Sequence, residues 1–305
     1  MPELREITQG LMFPEGPIAM DDGSVILVEI RRGTLTRVLP DGAKEIVAET
    51  GGGPNGAAIG PDGRVYVCNN GGFEWHDVGP LTLPGHQPAD YTGGSIQCVD
   101  LKTGEVETLY TACEDHPLKG PNDIVFDSQG GFWFTDHGKT RERERDTTGI
   151  YYASTDGMTI REVIFPTDAP NGIGLSPDES RLYAAETHTG RVFVWNLSAP
   201  GQVEPNPMSA NGGTLLAGLP GMQLLDSLAI DAEGNVCVAT LANGGITVIS
   251  PDGQSIEHIP MPDPLTTNIC FGGADLRTAF ITLSATGRLV ATEWATPGLK
   301  LAFGA

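Results

Sequence analysis

The sequence predicts an all-β chain closed into a six-bladed β-propeller with four antiparallel strands per blade. Three observations carry that prediction. A short unit recurs six times, spaced about 40 to 67 residues apart: one polar side chain, an apolar run, an Asp- or Gly-rich turn and a second apolar run. The chain holds 41 Gly and 23 Pro without a collagen-like period, a composition that suits many short strands and turns. No long segment shows the spacing of an amphipathic helix. The length of 305 residues allows two domains, but a closed radial repeat exceeds the usual domain size, so the expectation is one domain over 1–305.

The copies run in order. Glu15, in PEGPI, precedes Asp21-Asp22-Gly23 and the run 25–28. Asn55 precedes Pro61-Asp62-Gly63 and 65–67. Asn122 precedes the turn 127–130 and Phe132-Trp133-Phe134. Asn171 precedes Pro177-Asp178 and Arg181-Leu182-Tyr183. Asp226 precedes 231–234 and Val236-Cys237-Val238, and Asn268 precedes 272–275 and 278–281. Each unit reads as strand, tight turn, strand. The first blade continues with strands near 33–39 and 43–48. Residues 3–10 form a further short strand, expected to join the last blade (278–303), because closing the ring this way removes an exposed edge.

Three segments break the period. Residues 73–92, with Phe73, Trp75, His76, His86 and three prolines, are too long for a hairpin and read as a loop over one end of the array. Such a loop is either a lid or a surface excursion packed by its own aromatics. Residues 137–146, HGKTRERERD, read as a solvated charged loop, with His137 set apart because it follows the strand end Thr135-Asp136. Residues 199–213 read as a Pro-, Gly- and Asn-rich loop.

A net charge of -21 argues against a nucleic-acid partner, since phosphate neutralisation needs Lys and Arg. No leader-like N-terminal pattern and no run of about 20 apolar residues is present, so neither a secretory signal nor a membrane span is expected. Five cysteines, Cys68, Cys98, Cys113, Cys237 and Cys270, lack C-x-x-C spacing and read as buried reduced thiols of a cytoplasmic protein.

In a propeller the innermost strands line a central channel. Equivalent positions on them therefore face one axis. Glu15, Asn55, Asn122, Asn171, Asp226 and Asn268 then form a ring at one end. Two carboxylates and several amide oxygens make a hard-cation site, whereas no Cys or His cluster supports a thiolate or imidazole zinc site. The competing account is local: Asn and Asp before Gly make turn hydrogen bonds. Glu15 in the series favours the cation.

These motifs, with PNDIVFDSQGGFWFTD (121–136), PNGIGLSPDESRLYAAETHTG (170–190), LDSLAIDAEGNVCVA (225–239) and TNICFGGADLRTAFIT (267–282), resemble the SMP-30/gluconolactonase family of regucalcin-like propellers over almost the whole chain. The resemblance implies one divalent cation, Ca²⁺ foremost and Zn²⁺, Mg²⁺ or Mn²⁺ as alternatives, held by Glu15, Asn122, Asn171 and Asp226. It implies hydrolysis of a sugar-like or related lactone, with Asp226 as general base and the cation polarising the carbonyl. Asn55, Asn122, His137 and Asn268 are the candidate substrate contacts, followed by Glu186 and His188. Animal sugar lactonases carry Arg two residues before the third-blade Asn, where Gly120 stands here; the aromatic segment 73–92 is the candidate replacement contact. The expected partner is a small lactone, with no nucleic acid or membrane. Two other readings stay open: a phosphotriesterase-like hydrolase on the same cation, and a propeller that binds calcium or another ligand without turnover. A strictosidine-synthase-like role ranks last, as that chemistry uses a catalytic Glu without such a ring.

Overall fold

The computed structural model describes residues 3–304. Among them every regular element is a strand, and six sheets of four or more strands form the blades. The first blade is Pro14–Ala19, Val25–Glu29, Thr34–Val38 and Lys44–Glu49, paired in chain order. Residues 3–10 do what was expected of them. Arg5–Gln9 is the outer strand of the last blade, with Arg5 opposite Ala291 and Gln9 opposite Arg288.

The apolar runs are nearly unbroken because each sheet is covered on both faces by its neighbours. Val25–Glu29, Val65–Asn69 and Phe132–Asp136 are buried at all five positions. Between the second and third blades, Tyr66 meets Phe126 at 5.1 Å and Phe132 at 5.6 Å between ring centroids. Removing the fully buried Phe132 ring would cost about 3–5 kcal/mol through lost burial and the cavity left behind.

One irregularity recurs in all six innermost strands. The pairing register slips between Glu15 and Ile18, Pro54 and Ala57, Pro121 and Ile124, Pro170 and Ile173, Leu225 and Leu228, and Thr266 and Asn268. A bulge locally breaks the ladder, and here one lies at or beside each of the six polar positions.

Two segments depart from expectation. Residues 73–92 do contain a hairpin, Trp75–Val78 paired with Leu81–Pro84. Residues 199–213 contain a short strand, Gln202–Glu204, because the long strand Arg191–Ala199 overruns its blade and leaves an edge to pair.

The hairpin crosses the end of the channel where the six polar residues lie. It leaves the second blade and reaches the first through Arg31–Asp77 at 2.6 Å and the Phe13–Trp75 ring pair at 5.1 Å. It reaches the last blade through Thr82 N–H donating to Ala285 O at 2.8 Å, and the third through Gln87 N–H to Thr140 O at 2.9 Å. From the ring toward the opposite end runs a cavity of about 470 Å³, bounded by Asp123 and Asn268 at the ring, by Ile18, Ile59, Phe126, Leu175 and Ile230 further on, and by residues 299–304. Phe303 packs edge-on against Phe126 at 5.9 Å.

Candidate metal centre in the channel

Each polar side chain sits at the start of an innermost strand, and each of those strands packs on the next around the axis. The structure therefore brings Glu15, Asn55, Asn122, Asn171, Asp226 and Asn268 into one ring, all of them buried. The close approach has a cause in sequence. A Cβ on Gly16 would stand 2.6 Å from Asn55 O, and one on Gly56 would stand 2.4 Å from Asn122 O. Only glycine lets the neighbouring strands come that near.

Some of the ring's polarity is used locally, as the turn account anticipated. Asp226 Oδ1 accepts from Ser227 N–H at 3.1 Å, and Asn268 Oδ1 accepts from Ile269 N–H at 2.7 Å. Asn268 Nδ2 donates to Glu15 Oε2 at 2.7 Å, so its carboxamide is turned toward Glu15. Asn171 Nδ2 donates to Thr187 Oγ1 at 3.1 Å, and its Oδ1 accepts from Ser227 Oγ at 3.5 Å. What remains is informative. Glu15 Oε1, Asn55 Oδ1 and Asn122 Oδ1 are buried without a hydrogen-bond partner. Buried acceptors are otherwise nearly always satisfied.

The charges agree. Burial first, then Asp226 and Asp123, raise the Glu15 carboxyl well above its ordinary range. Burial pushes Asp226 up to about 7, Asn171 opposing it and Asp123 adding to it. Burial likewise pushes Asp123 up to about 7 against the backbone N–H groups it accepts. Three buried carboxyls repel one another unless a cation shares their space. Oxygen atoms, charged and neutral together, are the donor set of a hard cation such as Ca²⁺. No group of three His, Cys, Asp or Glu positioned for a metal occurs among the described residues, so any cation here needs the amide oxygens as well.

The remaining candidates lie above the ring. His137 and His188 face each other at 5.7 Å between ring centroids. Burial, then His188, pushes His137 down to about 3, so it is a neutral imidazole. Glu186 is spent locally, accepting from Asp168 N–H at 3.0 Å and Thr189 Oγ1 at 2.8 Å. Gly120 has a structural reason: a Cβ there would stand 2.7 Å from Gly138 O, and no larger residue fits this backbone.

Two residues escaped the sequence reading. Lys139, in the segment expected to be solvated, is almost fully buried. Its ammonium donates to Gly72 O at 2.6 Å and lies 4.3 Å from the Phe73 ring and 5.4 Å from Tyr91. It thus pins both ends of the excursion that carries the hairpin, and burial pushes it down to about 7. Asp123 also escaped notice; the signal was an acid in PND where the second and fourth copies have PNG.

The chain is similar to known proteins over most of its length. Residues 13–285 match the model of the SMP-30/gluconolactonase/LRE-like region. The chain is 32% identical over 263 residues to lactonase drp35 of Staphylococcus saprophyticus, covering 86% of this chain and 73% of that protein. It is 27% identical over 307 residues to a gluconolactonase of Zymomonas mobilis, covering 91% and 78%. A solved gluconolactonase from Xanthomonas campestris superposes with a TM-score of 0.75 at 21% identity, over 96% of this chain and 90% of that one. With the family model spanning most of the chain, the protein belongs to the SMP-30/gluconolactonase/LRE-like family.

Proposed function

We propose that the protein hydrolyses a lactone to its open hydroxy acid at the channel ring, using one divalent cation, with Ca²⁺ the first choice. The observation that carries this reading is the set of three buried oxygens without partners, Glu15 Oε1, Asn55 Oδ1 and Asn122 Oδ1. Glu15, Asn122, Asn171 and Asp226 hold the cation. When bound, it polarises the ester carbonyl and stabilises the negative charge that develops there.

The chain's own residues do the rest. Asp226 has one oxygen tied to Ser227 N–H, and its other oxygen takes the proton from the attacking water. Asn268 holds Glu15 by Oε2 and so leaves Oε1 for the cation. Asn55 and Asn122 orient substrate oxygens, and the neutral His137 offers a hydrogen bond without a charge. The hairpin, with Phe73 and Trp75, limits water at the ring and supplies the apolar contact to substrate.

Hydrolysis of sugar and aliphatic lactones by metal-stripped protein re-supplied with Ca²⁺, Zn²⁺, Mg²⁺ or Mn²⁺ tests this directly. Activity restored by a metal and lost in Asp226→Asn is the expected result. Cation binding without turnover on any lactone overturns it. Turnover of a fluorophosphate alone would then point to a phosphotriesterase.

A further inference from the structure

We propose that Asp123 is the positioning residue of the ring, a strut whose one carboxylate ties together the innermost strands of the third and fourth blades. Its oxygens accept from Ile124 N–H at 3.0 Å and Ile173 N–H at 3.2 Å. Each of those amides lies two residues beyond a ring member: Asn122 and Asn171. One side chain therefore registers two of the four residues assigned to the cation.

The need for a strut follows from the fold. The innermost strand of a blade is a sheet edge, and its channel-facing N–H groups have no strand to pair with. At the bulge the ladder is locally broken too, so the strand's offset from its neighbours is weakly set by backbone pairing. A carboxylate accepting several N–H groups makes stronger bonds than a neutral acceptor would. The other blades leave room for it. A Cβ on Gly172 would stand 2.6 Å from Leu228 N, so glycine there lets the fourth and fifth innermost strands approach. The first, second and fourth blades carry Gly16, Gly56 and Gly172 at the equivalent position, whereas the third and fifth carry side chains that reach the fourth: Asp123 accepts from Ile173 N–H, and Ser227 Oγ donates to Asn171 Oδ1 at 3.5 Å.

A cation needs its ligand oxygens placed to within a few tenths of an ångström, roughly ±0.2 Å. Small slips between the two strands would spread Asn122 and Asn171 beyond that tolerance. The inference rests on the ring being the cation site, and the test separates the two.

The full chain, Asp123→Gly and Asp123→Asn are stripped of metal and compared in three ways: Ca²⁺ titration, deuterium exchange of the metal-free proteins, and lactone kinetics at saturating Ca²⁺. Asp123→Gly should weaken Ca²⁺ by about 10- to 100-fold, the usual effect of losing a residue that orients a ligand. Exchange should quicken in 170–175 but not in 14–19. The kcat should stay low at saturating Ca²⁺ while KM stays near wild type. Asp123→Asn, which keeps one acceptor oxygen, should fall between, and it decides the matter if the glycine variant does not fold. Unchanged Ca²⁺ affinity and exchange in a folded variant overturn the strut. Full recovery of kcat at saturating Ca²⁺ also overturns positioning, since a missing charge alone can be offset by more cation. Wild-type protein that takes up no divalent cation sinks the reading of the ring, and the exchange comparison then judges the strut by itself.

Discussion

The two ends of the central channel are built from the same six strands and are chemical opposites. At one end stand Glu15, the four asparagines and Asp226; a few residues further along the same strands stand Ile18, Ile59, Phe126, Leu175 and Ile230. The polar end has buried oxygens in excess of donors. The other end has a cavity lined largely by apolar side chains and by the C-terminal segment. Burial is the largest cause of the upward shift of both Glu15 and Asp226 at the polar end.

The largest effect that would sharpen this contrast is at Asp226. Asp226→Asn keeps shape and removes the base, and kcat should drop about 10³-fold, the middle of the range for general-base catalysis, in a steady-state lactone assay. Next is Glu15→Gln. Calcium titration should show a loss of at least about 100-fold, more than an outer contact costs, while the metal-free protein gains in thermal stability because one of three repelling carboxyls is gone. If metal-free stability falls instead, the ring is held together by its charges and the contrast between the ends breaks.

A third measurement concerns pH. In the metal-free fold burial holds the Asp226 carboxyl up to about 7, whereas in the unfolded chain it ionises from about its ordinary value of 3.8. The folded state then binds the extra proton, so this stabilisation is complete below pH 3.8 and is lost as pH rises through about 7. Glu15 shifts in the same direction and adds to it. Melting temperatures of the metal-free protein should decline between pH 4 and 7, and saturating Ca²⁺ should flatten the decline. A flat metal-free profile would contradict the upward shifts. The smallest effect belongs to the C-terminal segment. Phe303→Ala should cost about 1–2 kcal/mol in denaturant unfolding, less than a fully buried ring, and should leave Ca²⁺ affinity unchanged.

Much of the molecule was legible in the sequence for one reason: repetition in phase. Six copies of a polar residue before an apolar run gave the blade count, the closure by residues 3–10 and the convergence of the ring. What did not repeat was not legible. The charged run 137–146 hid Lys139, because a lysine buried between Phe73 and Tyr91 depends on contacts far away in sequence. The hairpin at Trp75–Val78 and Leu81–Pro84 carries no Asn-Gly signal, so its length concealed it. Asp123 lay one residue out of phase with the repeat, and its partner Ile173 is in another blade. The segment 299–304 has no counterpart in any other blade, so no pattern announced it.

The bond between Asn268 and Glu15 joins residues 253 positions apart. During synthesis Glu15 leaves the ribosome early and waits for most of the chain before its partner exists. Asp226 also arrives late, and the outer strand Arg5–Gln9 can dock only after Arg288–Glu293 has emerged. An unfinished nascent chain therefore exposes the acidic and amide side chains singly, without assembling the ring. If the ring takes the proposed cation, a truncated translation product would lack the assembled place for it, and ion uptake would mark the moment at which the ring shuts.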